Sequence, residues 1–93
     1  MILSFRNRDT RAVSERRRVR KFSVDIQRRA QRKLMMLNSA KSINDLRVPP
    51  GNRLESLAGD REGQYSIRIN NQWRVCFVWS EGNAHDVEIV DYH

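Results

Sequence analysis

Gln64-Tyr65-Ser66-Ile67-Arg68-Ile69-Asn70-Asn71-Gln72-Trp73-Arg74-Val75-Cys76-Phe77-Val78-Trp79-Ser80 is the stretch that decides the fold. Its apolar residues recur every second position, the period of a strand with one face on a core. Tyr65, Ile67 and Ile69 share one face of Gln64–Asn70, and Ser66 and Arg68 share the other. After the turn signal Asn70-Asn71, Trp73, Val75, Phe77 and Trp79 take one face of Gln72–Ser80, and Arg74, Cys76 and Val78 the other. The expectation is a hairpin with one greasy face, and with Arg68 and Arg74 on neighbouring strands of its exposed face.

Outward from the hairpin, Glu81-Gly82-Asn83 predicts another turn and Ala84–Tyr92 a last strand. Upstream, Gly59–Gly63 predicts a loop and Arg53–Leu57 a short strand. Val48-Pro49-Pro50-Gly51-Asn52 ends any helix. Before it the period changes to 3.6. Ser23 is a good N-cap for a helix running to about Lys41, with Ile26, Ala30, Leu34 and Leu37 on the inner face. Arg28, Arg29 and Arg32 fall on the opposite face and Lys33 on its flank; Met35 and Met36 read as packing. Asn7–Lys21 is polar, with Ala12, Val13 and Val19 as its apolar points. It has room for a short helix, and the run Arg16-Arg17-Arg18-Val19-Arg20-Lys21 repels itself, which leaves its order open. Ile2–Phe5 is a strand candidate. The fold class is α+β: one domain over residues 1–93, an N-terminal strand, and one or two helices packed on one face of a mainly antiparallel four- to five-stranded sheet.

Composition narrows the function. The chain has 93 residues, enough for one modest core. No apolar run approaches the ~20 residues that span a bilayer, and Met1–Arg6 is interrupted by charge too soon for a signal peptide. A lone cysteine excludes an internal disulfide framework. A cytoplasmic protein without membrane contact is expected. Eighteen Lys and Arg stand against eleven Asp and Glu, a net charge of +7. The imbalance is concentrated: residues 1–53 hold fifteen basic and four acidic side chains, net +11, and residues 54–93 hold three and seven, net −4. Fifteen of the eighteen cations are Arg, the planar donor that matches phosphate oxygens two at a time. A polyanionic partner, nucleic acid first, is expected, with Arg16, Arg17, Arg18, Arg20, Lys21, Arg28, Arg29, Arg32 and Arg61 as candidate nucleic-acid-binding residues.

Candidates for chemistry are few. His85, His93 and Cys76 fit no zinc spacing. Asp60 and Glu62 read as a solvated turn, and Gly59 and Gly63 make no phosphate loop. Cys76, mid-strand among apolar neighbours, reads as packing. No metal or cofactor is expected. What remains is the pair Arg68 and Arg74, able to grip one phosphate, and the ending Asp91-Tyr92-His93, with an aromatic ring to stack a base and an imidazole to move a proton.

Gly51–Arg68, running on into Asn71-Gln72-Trp73-Arg74-Val75-Cys76-Phe77, together with Val87-Glu88-Ile89-Val90-Asp91-Tyr92-His93, resembles the HigB toxins, the plasmid-maintenance killer branch of the RelE/ParE superfamily. The Gly59-Asp60-Arg61-Glu62-Gly63 turn, the Trp73-Arg74 strand and the final Asp91-Tyr92-His93 carry the resemblance jointly. It implies a toxin that enters the ribosomal decoding site and cleaves messenger RNA there. It also implies a helix-turn-helix, HigA-like antitoxin that neutralises the toxin and joins it on operator DNA. By position, Arg74 matches the family's strand arginine on the scissile phosphate, Arg68 a place where relatives carry Lys or Arg, and Asp91, Tyr92 and His93 the C-terminal active-site residues. Relatives carry a His and a Lys just before the Gly-Asp-Arg-Glu-Gly turn, where this chain has Glu55 and Ala58.

Metal-free cleavage of RNA must take a proton from the ribose 2′-OH, stabilise the phosphorane and protonate the leaving 5′-oxygen. Arg74 and Arg68 are expected to stabilise the phosphorane. His93 is expected to act as the general acid and Tyr92 to stack a splayed nucleotide; the base is open, with Glu55 a candidate. Two other readings fit the residues: an RNA- or ribosome-binding growth inhibitor without catalysis, and a gyrase inhibitor as in the ParE branch.

Overall fold

The computed structural model describes residues 1–91. Four strands, β1 (Glu55–Ser56), β2 (Gln64–Arg68), β3 (Trp73–Ser80) and β4 (Asn83–Asp91), form one antiparallel sheet in sequence order. Helices α1 (Arg8–Ser14) and α2 (Val24–Ser39) pack on one face. Ser23 caps α2 by accepting from the Ile26 N–H at 3.1 Å, and Asn7 caps α1 by accepting from the Thr10 N–H at 2.9 Å. The inner face of α2, with Ala30, Leu34 and Leu37 buried, meets Ile67, Val75 and Phe77 of the sheet. Phe22 sets its ring edge-on to Trp73, centroids 5.0 Å apart.

Turns follow from their residues. Between β3 and β4, Ser80 pairs with Asn83 across Glu81 (φ 51°) and Gly82 (φ 78°). Two left-handed residues are what a two-residue hairpin loop needs to match strand twist. Between β2 and β3 the loop is one residue longer than the Asn70-Asn71 signal suggests. The Asn70 side chain accepts from the N–H groups of Gln72 (2.9 Å) and Trp73 (2.7 Å), and so does the work of a backbone turn.

The far edge of β4 is covered by the start of the chain. Residues 2–5 run parallel to it, with the Leu3 N–H donating to the Ala84 carbonyl at 2.8 Å and the Arg6 N–H to that of Val87 at 3.0 Å. Where they leave, the Thr10 hydroxyl of α1 accepts from the Ile89 N–H at 3.0 Å. An edge that would otherwise invite pairing is satisfied along its length.

One expectation is corrected. The strand expected over Arg53–Leu57 shrinks to Glu55–Ser56, because Arg53 is left-handed (φ 44°, ψ 57°) and leaves the extended region. The run Arg16–Lys21, whose order the sequence leaves open, is clipped to α2. Gln27 Oε1 accepts from the Val19 N–H (2.9 Å) and Arg18 Nη1 (2.8 Å), and Gln27 Nε2 donates to the Arg17 carbonyl (2.7 Å).

Candidate active site

The outer face of the sheet, away from the helices, carries the candidate chemistry. Arg68 and Arg74 are directly opposed in the β2–β3 register. Two like charges so placed repel, so each needs a partner. Arg68 donates from Nε to the Asn70 carbonyl at 3.1 Å and from Nη2 to the Asn71 side chain. Arg74 lies sideways across β2. Its Nε donates to Ser66 Oγ at 2.8 Å, its Nη2 to the Arg53 carbonyl at 2.6 Å, and its Nη1 faces Glu55 Oε1 of β1 at 3.7 Å. Ser66 is small and wholly buried, which makes the room for this crossing.

Arg74 is thus only 6% exposed, not on the open surface that strand alternation predicts. Among the described residues, Ser66, Arg53 and Glu55 hold its guanidinium in one orientation. Arg53, Glu55, Arg68, Asn70, Asn71 and Arg74 line a cleft of about 280 Å³ with three cations and one carboxylate. The loop behind it is anchored by Asn52, which is wholly buried. Asn52 Nδ2 donates to the carbonyls of Leu46 (3.1 Å) and Val48 (3.4 Å), and Oδ1 accepts from Lys33 Nζ at 2.5 Å. Arg53 follows in a left-handed conformation that costs a side-chain-bearing residue about 1–2 kcal/mol. That conformation aims its carbonyl at Arg74.

Asp91 does not line the cleft. It pairs with Trp73, and Val90 pairs with Arg74, so alternation assigns Asp91 to the face opposite Arg74. Gln72 Nε2 donates to its carboxylate at 3.1 Å. The roles expected for Tyr92 and His93 lie outside the described residues. Arg61 shares the outer face but is engaged by Glu88 and Gln64, both at 3.1 Å. Beneath it Cys76 is buried, and burial pushes its thiol pKa up. Ser66, Asn52 and Arg53 were not among the expected site residues; the small Ser66 beside two arginines was the one available signal.

The remaining expected RNA-binding cations divide into groups. Arg18 is exposed but engaged within the chain, its Nη1 donating to the Val19 and Phe22 carbonyls as well as to Gln27. Lys21 rests over the rings of Phe22 and Trp73, 5.8 Å from each centroid. Arg16, Arg17, Arg20, Arg28, Arg29 and Arg32 are exposed; Arg17 is paired with Glu15 (2.5 Å) and Arg29 with Asp25 (3.2 Å). Among the described residues no group of three or more His, Cys, Asp or Glu is placed to hold a metal, and no helix is long and apolar enough to cross a membrane.

Comparison with known proteins adds to this geometry. Residues 4–93 match the family described as RelE-like toxin of type II toxin-antitoxin system HigB. A 53-residue stretch is 51% identical to Toxin HigB-1 of Vibrio cholerae, covering 57% of this chain and 56% of that protein. The chain therefore spans little more than half the length of that relative. Endoribonuclease HigB of Proteus vulgaris is 29% identical over 93 residues, 100% of both chains. A chain of the YoeB–YefM toxin–antitoxin complex from Staphylococcus aureus superposes with a TM-score of 0.63 at 14% identity, covering 100% of this chain and 98% of that one, a likeness of fold.

Proposed function

The chain belongs to the HigB-like family of RelE-like toxins of type II toxin–antitoxin systems, and from that membership we propose that it is a ribosome-dependent endoribonuclease that cuts messenger RNA during translation. The observation that carries the proposal is the cleft in which a buried Arg74, held by Ser66, Arg53 and Glu55, opposes Arg68. A cation fixed before the reaction stabilises charge that appears in the transition state without a cost of reorganisation. In the proposed step the 2′-oxygen attacks phosphorus, the P–O5′ bond breaks, and a 2′,3′-cyclic phosphate and a 5′-OH end form. Arg74 and Arg68 take the charge growing on the non-bridging oxygens. Glu55, the carboxylate of the cleft, accepts the 2′-OH proton; His93 donates to the leaving oxygen, and Tyr92 stacks a neighbouring base. These side chains supply each role without calling on a metal ion.

We place the protein in the cytoplasm with the ribosome and its message, held by a helix-turn-helix antitoxin of the HigA type with which it binds operator DNA. The likeness to a chain of a toxin–antitoxin complex supports an antitoxin partner. Asp91, on the other face, acts through the strand end that carries Tyr92 and His93 and does not contact phosphate.

Mapping transcript ends after brief induction tests this reading. New cuts inside codons, lost in Arg74→Ala, support it; intact transcripts with stalled ribosomes would replace the nuclease with a binder. That second reading draws on Glu55, whose place beside Arg74 lets it hold the guanidinium as a structural partner.

A further inference from the structure

A second groove lies beside the cleft, on the helix side of the same loop. Arg29, Arg32 and Lys33 of α2 form one wall, and Met36, Pro49 and Ile69 give it an apolar floor. The groove encloses about 480 Å³. Its one carboxylate, Asp25, is taken by Arg29 at 3.2 Å. Arg32 is exposed and has no ion-pair or hydrogen-bond partner among the described residues, and Lys33 beside it is partly buried with its ammonium on neutral Asn52. Two adjacent cations are thus left without a counter-charge. The stress is visible on Lys33, whose pKa is lowered first by burial and then by the Arg32 charge. An anion bound here would favour the charged ammonium and so oppose both effects.

The floor adds a second requirement. Met36, Pro49 and Ile69 offer a flat apolar surface next to the cations, suited to a ligand with an anionic group and a ring or sugar face. The groove and the active-site cleft share no lining residue, but they border the same segments of the chain. The loop that contributes Pro49 to the groove contributes Arg53 to the cleft, and Ile69 of the groove adjoins Asn70 of the cleft. A single strand of nucleic acid leaving the Arg68–Arg74 cleft over this loop would meet Arg32 and Lys33.

We propose that this groove is a second phosphodiester subsite, in which Arg32 and Lys33 hold a phosphate of the same single RNA strand a few nucleotides from the bond that is cut, with a base or ribose on Met36, Pro49 and Ile69. The identity of the strand rests on the ribonuclease reading. The groove sets how much single-stranded RNA the protein engages, and Arg32 is a substrate-length determinant that takes no part in proton transfer or phosphorane stabilisation.

Titration of the 15N-labelled full chain with 2′-O-methyl RNA of two and of five nucleotides, which cannot be cut, tests the subsite by amide shifts. The dinucleotide is expected to move Arg68, Asn71 and Arg74 alone, and the pentanucleotide to move Arg32, Lys33 and Ile69 as well. Arg32→Gln, at an exposed residue without contacts to lose, should leave dinucleotide affinity unchanged. For the pentanucleotide it should flatten the log Kd against log salt slope by about 0.7, one phosphate's worth on a single strand. The subsite is overturned if the pentanucleotide shifts the cleft and leaves the groove silent, or if Arg32→Gln alters neither slope nor affinity. A groove that responds while the cleft does not would uphold the subsite and remove the catalytic reading instead. Silence at both would remove both.

Discussion

Asn52→Ala is the substitution that most directly tests how the cleft is built. The side chain is wholly buried and makes four contacts: donation to the Leu46 carbonyl at 3.1 Å, to the Val48 carbonyl at 3.4 Å and to Met36 Sδ at 3.1 Å, and acceptance from Lys33 Nζ at 2.5 Å. Alanine leaves the buried Leu46 carbonyl without its donor, a loss of about 1–3 kcal/mol. The Val48 carbonyl, beside an exposed side chain, and the partly buried Lys33 regain water and offset part of the rest. A net loss of about 2–3 kcal/mol follows, since hydrogen bonds to charged groups contribute about 1.5–3 kcal/mol before that offset. With a urea m-value of about 1 kcal/mol/M for a domain of this size, the unfolding midpoint should fall by about 2–3 M at unchanged m. Asn52→Asp refines the test, because it keeps an acceptor for Lys33 and loses both carbonyl donors. It should recover less than half of the alanine loss. In folded Asn52→Ala, kcat on translating ribosomes should fall while ribosome affinity holds, because the Arg53 carbonyl no longer fixes Arg74. A midpoint shift under 0.5 M, about 0.5 kcal/mol at that m-value, would refute the claim that Asn52 anchors the loop.

Other perturbations address separate parts of the molecule. Arg74→Ala should lower the single-turnover cleavage rate by about 10²–10³-fold, the usual effect of losing a preorganised charge donor; a loss under about tenfold would demote Arg74 to a structural role. Removing Tyr92 and His93 should abolish cleavage in ribosome assays while circular dichroism and antitoxin binding stay unchanged. Gln27→Ala should free the Arg16–Lys21 loop and make it the first site of trypsin nicking in limited proteolysis, with the core fragment intact. Cys76 should resist thiol reagents in the folded state. Its folded pKa is raised, so the unfolded thiol ionises first. Stability should therefore be constant at lower pH and decline as pH rises past about 8.5, the unfolded thiol's range; Cys76→Ala should remove that decline in urea titrations at pH 7 to 10.

The alternation over residues 64–80 suffices to place the hairpin, its inner face and the opposition of two arginines, because strand period and burial act locally. The amphipathic helix after Ser23 is legible for the same reason. Arg74's burial is not. A guanidinium on a polar strand face reads as solvated until a third strand supplies Glu55 and a left-handed Arg53 supplies a carbonyl, and neither is local to Arg74. The face of Asp91 is hidden differently. Between Cys76 and Val78 the β3–β4 register slips by one residue, with Asp86 at φ 52°, and that bulge exchanges the two faces of the strand beyond it. The one trace in the residue pattern is the spacing of the buried residues, three from Ala84 to Val87 and two from Val87 to Ile89. The order of the Arg16–Lys21 run is not legible because the charges it repeats are visible in sequence, whereas Gln27, which ties it down, acts through the Arg17 carbonyl and the Val19 N–H.

The pairing of residues 2–5 with β4 joins the two ends of the described chain, with Ser4 Oγ accepting from the Asp86 N–H at 2.9 Å across 82 positions. During synthesis, β4 leaves the ribosome after every element it touches. Until then the first residues lack their strand partner and keep only contacts such as the Ile2 N–H to Asn38 Oδ1 at 2.9 Å, and Val87 and Ile89 are missing from the core. The helices and the first hairpin would emerge as a collapsed but unfinished body. On the ribonuclease reading, a cleft whose sheet is finished only when β4 docks would gain its rigidity after the rest of the fold has formed.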